Sequence, residues 1–204
     1  MSQIDMWEIE RGYFDKGFNV ICGVDEAGRG PLAGPVCAAA VILPAGLIIE
    51  GLDDSKKLPD KRRRELFPII KESALAYGIA FASESEIDDI NILQATFLAM
   101  ERALQQLAIA PQLALIDGNR LKDFGIPAEA VVHGDSRSAS IAAASVLAKV
   151  TRDDYMLEMG KQYPAYSFDV HKGYGTKVHC EAILKHGPCP IHRQSFLKKL
   201  YGKK

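Results

Sequence analysis

Short runs of apolar residues alternate along this chain with longer stretches of helical spacing. Asn19 to Val24 is the first run, and its Val and Ile suit a covered, pleated surface. Val36 to Leu43 is the second, close enough in sequence to pair antiparallel with the first. Gly78 to Ala82, Pro111 to Ile116 and Ala130 to Val132 read as further strands. Pro59 and Asp60 open a helix predicted to run to about Tyr77, with Leu66, Ile69, Ile70 and Leu75 at rough helical spacing. Ile92 to Leu107 is the clearest helix, with Leu93, Phe97, Met100, Leu104 and Leu107 along one face. A long helix is predicted from about Ser138 to Met159. Its first half, Ile141 to Ala148, is small and apolar all round, which suits tight packing inside a protein. Residues 1–18 read as an amphipathic lead-in with a helix around Asp5 to Phe14. Two short helices, about Lys177 to His186 and Gln194 to Tyr201, close the chain.

This order predicts an α/β fold, a mixed sheet with helices on its faces. Three of the strands run into acid: Asp25-Glu26, Asp117 and Asp135. In open α/β sheets the strand ends are where sites form. If these strands lie side by side, four carboxylates converge, and like charges within ~4–6 Å push one another toward protonation. A divalent cation removes that cost, and all-oxygen ligation suits Mg²⁺ or Mn²⁺ rather than Zn²⁺. Such a cluster suits phosphoryl transfer. Each acid also has a plain structural use. Asp117-Gly118 is a common turn dipeptide, Asp135 can start or cap the helix behind it, and Asp25-Glu26 can simply end a strand. Beside them, Gly28 and Gly30 flank Arg29 in a turn whose backbone can lie against a ligand, with no Cβ to hold it off.

Charge sharpens the picture locally, not globally. The 204 residues carry a net charge of −1, so nucleic-acid binding has to rest on local patches. From His171 to Lys204 there are eight Lys or Arg against one acid, Glu181, and four of the five histidines. We therefore divide the chain into a catalytic part with its lead-in, 1–159, and a basic helical substrate-binding appendage, 160–204. Lys61 to Arg64 open the helix after Pro59, where four cations oppose the helix dipole; a solvated face is the first reading and a nucleic-acid contact the second. Cys22 and Cys37 lie in apolar runs and read as buried thiols. His179, Cys180, Cys189 and His192 are spaced too irregularly for a structural zinc site. No G-x-S-x-G or Walker loop is present. Residues 1–18 lack the apolar segment of a secretory signal, no apolar stretch reaches membrane length, and a cytoplasmic location is expected.

The blocks Gly23 to Leu32, Asp54 to Leu58, Asn91 to Thr96, Ile116 to Asn119, Gly134 to Ser136, Ile141 to Ser145, Ala148 to Asp153 and His171 to Tyr174 follow one another in a recognisable order. In that order the chain resembles the type 2 ribonuclease H (ribonuclease HII) family, from about Val20 to Phe196. The resemblance implies a ribonuclease H-like fold with a five-stranded mixed sheet. It implies a divalent-metal-dependent endonuclease that cuts the RNA strand of RNA–DNA hybrids and nicks 5′ to ribonucleotides embedded in duplex DNA. The ends would be 3′-hydroxyl and 5′-phosphate, and the role ribonucleotide removal in DNA replication and repair. By the same resemblance the metal-binding and catalytic acids fall on Asp25, Glu26, Asp117 and Asp135, with Mg²⁺ or Mn²⁺ as cofactor. The turn that reads a 2′-hydroxyl falls on Gly28, Arg29 and Gly30, and the junction-sensing tyrosine on Tyr174, with Lys56 and Lys172 as further substrate contacts. The expected partners are the hybrid and ribonucleotide-containing duplex DNA, bound by a monomer away from membranes. One departure is visible: the residue before Gly134 is often Lys in related sequences and is His133 here. The alternative is a structure-specific DNA nuclease of the same fold type, which would leave the Gly-Arg-Gly turn no 2′-hydroxyl to read. A non-catalytic hybrid binder would hold four acids against phosphates, and a small-molecule phosphatase would not need a basic tail.

Overall fold

A computed structural model describes residues 5–202. Its sheet has the strand order β3-β2-β1-β4-β5, with β1 at Ile21–Ala27, β2 at Val36–Ile42, β3 at Ala76–Ala82, β4 at Leu113–Asp117 and β5 at Ala128–Val131. β1 pairs antiparallel with β2, and β2 with β3, whereas β1 pairs parallel with β4, and β4 with β5. This is the mixed five-stranded sheet that the apolar runs predict.

Helices cover both faces. On one face α3 (Glu84–Gln105) lays Ala95, Ala99, Met100 and Ala103 against Val24, Ala38 and Ala40. On the other, α4 (Ala139–Gln162) and α2 (Asp60–Ser73) cover Cys37, Ala39 and Val41. Residues Ala139 to Ala148 are all buried, as their small, apolar character predicts. Gly23 sets how close α4 comes: a Cβ there would lie 2.1 Å from the carbonyl carbon of Ser140. Before the sheet, α1 (Glu8–Phe14) follows Trp7, whose indole N–H donates to the Leu47 carbonyl at 2.8 Å. Glu10 of α1 is buried and accepts from the Ser138 hydroxyl at 2.6 Å, tying the lead-in to the start of α4.

Several boundaries differ from the sequence expectation. α2 stops at Ser73, not near Tyr77, because Leu75 N–H donates to the Ile42 carbonyl and Ala76 joins β3. α3 begins at Glu84, well before Ile92. Ser83 caps it, its hydroxyl accepting from Glu86 N–H while the Glu86 carboxylate accepts from Ser83 N–H at 2.8 Å. The helix is broken at Asn91, which has φ 67°, and Asn91 Oδ1 accepts from Leu93 N–H at 3.0 Å. A second N-terminus therefore starts at Ile92, and the periodic pattern shows only that part. β5 is Ala128–Val131, and Val132 is exposed where the chain turns through His133 at φ 54°.

The last third packs back on the body. Tyr166, Phe168, Ile183, Ile191 and Leu197 form a cluster with Ala33 and Met156. It contains α5 (Phe168–His171), α6 (Lys177–His186) and α7 (Gln194–Tyr201).

Candidate active site

The parallel register brings the acids together. Val24 of β1 lies opposite Ile116 of β4, so the next residues, Asp25 and Asp117, are neighbours on one face of adjacent strands. Asp135 comes from a 3-10 turn, Gly134–Ser136, that follows β5, and so is not on a strand end as expected. The Asp117 carboxylate holds that turn in place by accepting from Gly134 N–H at 2.8 Å. One carboxylate oxygen each from Asp25, Asp117 and Asp135 lies within 4.8 Å of the others.

Glu26 does not join this group. It follows Asp25 on an extended strand, so its side chain leaves by the opposite face. It accepts from the Arg29 guanidinium at 3.2 Å and borders a cleft of about 70 Å³ that Asp117 also lines, floored by Leu93, Phe97, Met100 and Ile116. Three of the four expected acids thus lie within 4.8 Å of one another, and Glu26, hydrogen-bonded to Arg29, stands beside them.

The site is electrostatically loaded. Burial, then the charges of Glu26 and Asp117, push the Asp25 carboxyl well above the usual range. Burial and the charge of Asp135 raise Asp117. Burial also raises Glu26, against the opposing pull of Arg29. Lys56 supplies a cation: its ammonium donates to Asp135 Oδ2 at 3.0 Å. Burial works against the Lys56 charge, but the Asp135 hydrogen bond and the Asp25 and Asp135 charges outweigh it and raise its pKa. The loop carrying Lys56 is fixed from below, since Ser145 of α4 donates to the Ser55 hydroxyl at 2.6 Å and Arg63 of α2 donates to the Ser55 carbonyl at 2.8 Å. Three of the four cations at the front of α2 are engaged within the protein, with Arg62 on Glu65, Arg63 on Asp60, and Arg64 on Asp60 and Asp154, while Lys61 is exposed.

The residues present fit a hard divalent cation. Asp25 Oδ2 is buried and has no hydrogen-bond partner among the described residues. A buried carboxylate oxygen left so is costly. The donors are carboxylate oxygens only, which suits Mg²⁺ or Mn²⁺.

The Gly28–Gly30 turn and Tyr174 meet beside the cluster. A Cβ at Gly30 would lie 3.8 Å from Tyr174 Cε1. Tyr174 is 44% exposed and so is not a buried anchor. Lys172 turns back, its ammonium donating to the Asp169 carbonyl. His133 is exposed at the mouth of the Gly134 turn, where its carbonyl accepts from the Ser136 hydroxyl.

Two residues that sequence reasoning does not single out hold this region. Arg152 and Arg193 are both buried. Arg193 belongs by composition to the basic tail, yet its guanidinium donates to the carbonyls of Gly28, Arg29 and Gly34. Burial, with the like charge of Arg152, draws Arg193 down to about 9, still a cation at neutral pH. Behind Tyr174 runs a chain of neutral imidazoles. His179 donates to the Tyr174 carbonyl at 2.9 Å, and the two Nε2 atoms of His179 and His192 lie 3.0 Å apart. His192 Nδ1 accepts from Cys189 N–H at 2.9 Å. Burial lowers His179 to about 4. These rings are spent on one another and on the backbone, and among the described residues only the three aspartates have metal-compatible spacing.

Comparison with known proteins gives a consistent result. A family model described as Ribonuclease HII matches residues 22–199. A ribonuclease HII from Endomicrobium trichonymphae is 56% identical over 193 residues, covering 94% of this chain and 92% of that protein. One from Caldicellulosiruptor bescii is 52% identical over 194 residues, covering 95% and 94%. The crystal structure of the ribonuclease H2 from Pyrococcus horikoshii OT3 superposes with a TM-score of 0.73 at 26% identity, covering 89% of this chain and 97% of that one.

Proposed function

Since the chain belongs to the ribonuclease HII family, an endoribonuclease family that depends on divalent metal, we propose which substrates and ends its own site specifies. The protein cuts the RNA strand of RNA–DNA hybrids and nicks duplex DNA on the 5′ side of an embedded ribonucleotide. It leaves 3′-hydroxyl and 5′-phosphate ends, as a monomer in the cytoplasm, and serves ribonucleotide removal during DNA replication and repair. The observation that carries this reading is the meeting of Tyr174 with Gly30 at the edge of the acid cluster, because it pairs a sugar-reading surface with a phosphate-cleaving one.

Asp25, Asp117 and Asp135 would hold Mg²⁺ or Mn²⁺, with Glu26 completing the set by turning away from Arg29. When bound, such a cation acts as a Lewis acid on the phosphate and makes water a stronger nucleophile at neutral pH. The protein's own groups do the rest. Lys56, anchored through Ser55, offers its ammonium to a phosphate oxygen once it leaves Asp135. The backbone of Gly28 to Gly30 reads the 2′-hydroxyl, the group that separates RNA from DNA. The Tyr174 ring lies against the next sugar, where a deoxyribose fits and a 2′-hydroxyl crowds it. Residues 160–204 act as the basic appendage that grips the duplex.

The test uses a duplex holding one ribonucleotide and a long RNA–DNA hybrid, each with and without Mg²⁺. The wild-type protein should nick the first 5′ to the ribonucleotide, only with metal. Tyr174→Ala should melt at the wild-type temperature and lose most cleavage at the single site. Equal single-site rates for the two proteins would remove the junction-sensing role, and cutting of an all-DNA duplex would replace the reading with a DNA nuclease.

A further inference from the structure

The Gly28–Pro35 turn makes its hydrogen bonds mostly to partners far away in sequence. Its carbonyls at Gly28, Arg29 and Gly34 accept from the Arg193 guanidinium at 2.6, 2.9 and 2.8 Å. Those at Ala33 and Pro35 accept from Arg152 at 3.1 and 3.0 Å. The Leu32 carbonyl accepts from the Arg193 backbone N–H. Glu84 is near enough for its charge to act on both guanidinium groups, but among the described residues no carboxylate hydrogen-bonds to either. A buried guanidinium without a paired acid is expensive unless its donors are satisfied. Here backbone carbonyls satisfy them.

The donor side of the turn is left open. Among the described residues the N–H groups of Gly28, Arg29 and Gly30 have no acceptor within the protein. The turn thus has its carbonyls drawn inward onto positive charge and three successive N–H groups unengaged. Peptides that flank glycine can flip at little cost, so this polarity needs something to hold it. Arg152 also fixes where the partner element stands. It donates to the Lys172 carbonyl at 3.1 Å as well as to Ala33, and Gly28 leaves its side chain room, since a Cβ there would lie 1.9 Å from Arg152 Nε.

We infer that Arg193 and Arg152 are positioning residues for sugar discrimination. Arg193 locks the Gly28–Gly30 turn with its N–H groups toward the substrate, so that it donates to the 2′-hydroxyl oxygen. Arg152 sets the distance from that turn to Tyr174. The inference rests on the substrate reading above and adds to it the polarity of the contact and the residues that impose it.

The experiment measures binding, in an Asp25→Asn background that cannot cut, to a duplex with one ribonucleotide and to the same duplex in all-DNA form. Arg193→Lys keeps the charge but cannot span three carbonyls, and Arg193→Gln removes the charge. Each should shrink the ribonucleotide-over-DNA binding ratio by up to about tenfold, the worth of one neutral hydrogen bond. Arg152→Lys should shrink it in the same direction. A variant that weakens both duplexes equally would make the arginines merely structural and overturn the inference. Because a buried-arginine variant can fail to fold, amide exchange in the parent protein gives an independent reading. The N–H groups of Gly28, Arg29 and Gly30 should gain protection with the ribonucleotide duplex and not with the DNA duplex. Equal exchange in both would refute the donor role. If the parent itself binds both duplexes alike, the substrate reading fails; if it discriminates without depending on Arg193, only this inference fails.

Discussion

Asp25 occupies a position that the metal-free fold tolerates at a cost. It is buried, its Oδ2 lacks a partner, and Asp117 lies beside it on the next strand. The cluster is therefore arranged for a charge that comes from outside, and Lys56 covers only part of it. Asp25→Asn should cut turnover by at least about a hundredfold, the scale of losing one preorganised electrostatic group. It should not lower the melting temperature of the metal-free protein, because a buried charge is removed. Adding Mn²⁺ above its Kd should raise the melting temperature of the wild type, by about 2–4 °C for each kcal/mol of stabilisation that mass action supplies, and raise that of the variant less. Thermal melts at several Mn²⁺ concentrations check both claims; an equal metal response would place the cation elsewhere. The aspartates are legible in the sequence because each follows an apolar run into a turn. Glu26 is legible both as an acid and, through a strand's alternation, as pointing away from Asp25. Arg152 and Arg193 are not legible at all. Arg193 meets Gly34 across 159 residues and Gly28 across 165, and nothing local marks a guanidinium that will be satisfied by distant carbonyls.

At the scale of elements, the site depends on how closely α4 lies on β1. Gly23 has no Cβ, and one added there would sit 2.1 Å from Ser140 carbonyl carbon and 2.2 Å from Ile141 nitrogen. Those are backbone atoms of a buried helix and cannot turn aside. Gly23→Ala should therefore cost about 3 kcal/mol or more, at the upper end of overpacking, with a drop in melting temperature of about 2–4 °C per kcal/mol. Turnover should fall as well, because Asp25 follows two positions later on the strand that is pushed. Gly12→Ala is the control, since a Cβ in that helix meets nothing within 4 Å. It should leave stability unchanged or raise it by up to about 1 kcal/mol. A Gly23→Ala protein as stable as the Gly12→Ala one would show that α4 can shift freely. The small residues of α4 make this close packing legible beforehand. The true start of α3 is not, because Glu84 to Ile90 is mostly polar, held by the Ser83–Glu86 capping box and by Ile87 alone in the core.

Across the whole molecule, the cations and imidazoles of residues 160–204 divide in a way that composition alone does not show. Arg193 and the imidazole chain of His179 and His192 are turned inward, where they hold the Gly28–Gly30 turn and the backbone at Tyr174. Lys172 bends back onto Asp169, and Lys177 stands 3.8 Å from Glu181. Lys198 is exposed on α7, and Lys203 and Lys204 lie beyond the described residues. Deleting everything from Lys198 onward would also remove Leu200, which packs against the cluster around Phe168, so the effects of charge and of packing would be mixed. Substitution separates them. Lys198→Gln, Lys203→Gln and Lys204→Gln together should leave the melting temperature unchanged and weaken binding to a ribonucleotide-containing duplex. The slope of log affinity against log salt should flatten by roughly 0.9 for every duplex phosphate that a lysine no longer neutralises. Discrimination between that duplex and plain DNA should stay as it was, because phosphate-binding lysines position the duplex without reading the sugar. A titration from low to high salt on both duplexes decides the point. An unchanged slope would mean that these lysines are only a solvated surface, and a changed ribonucleotide preference would mean that grip and sugar reading are one device rather than two.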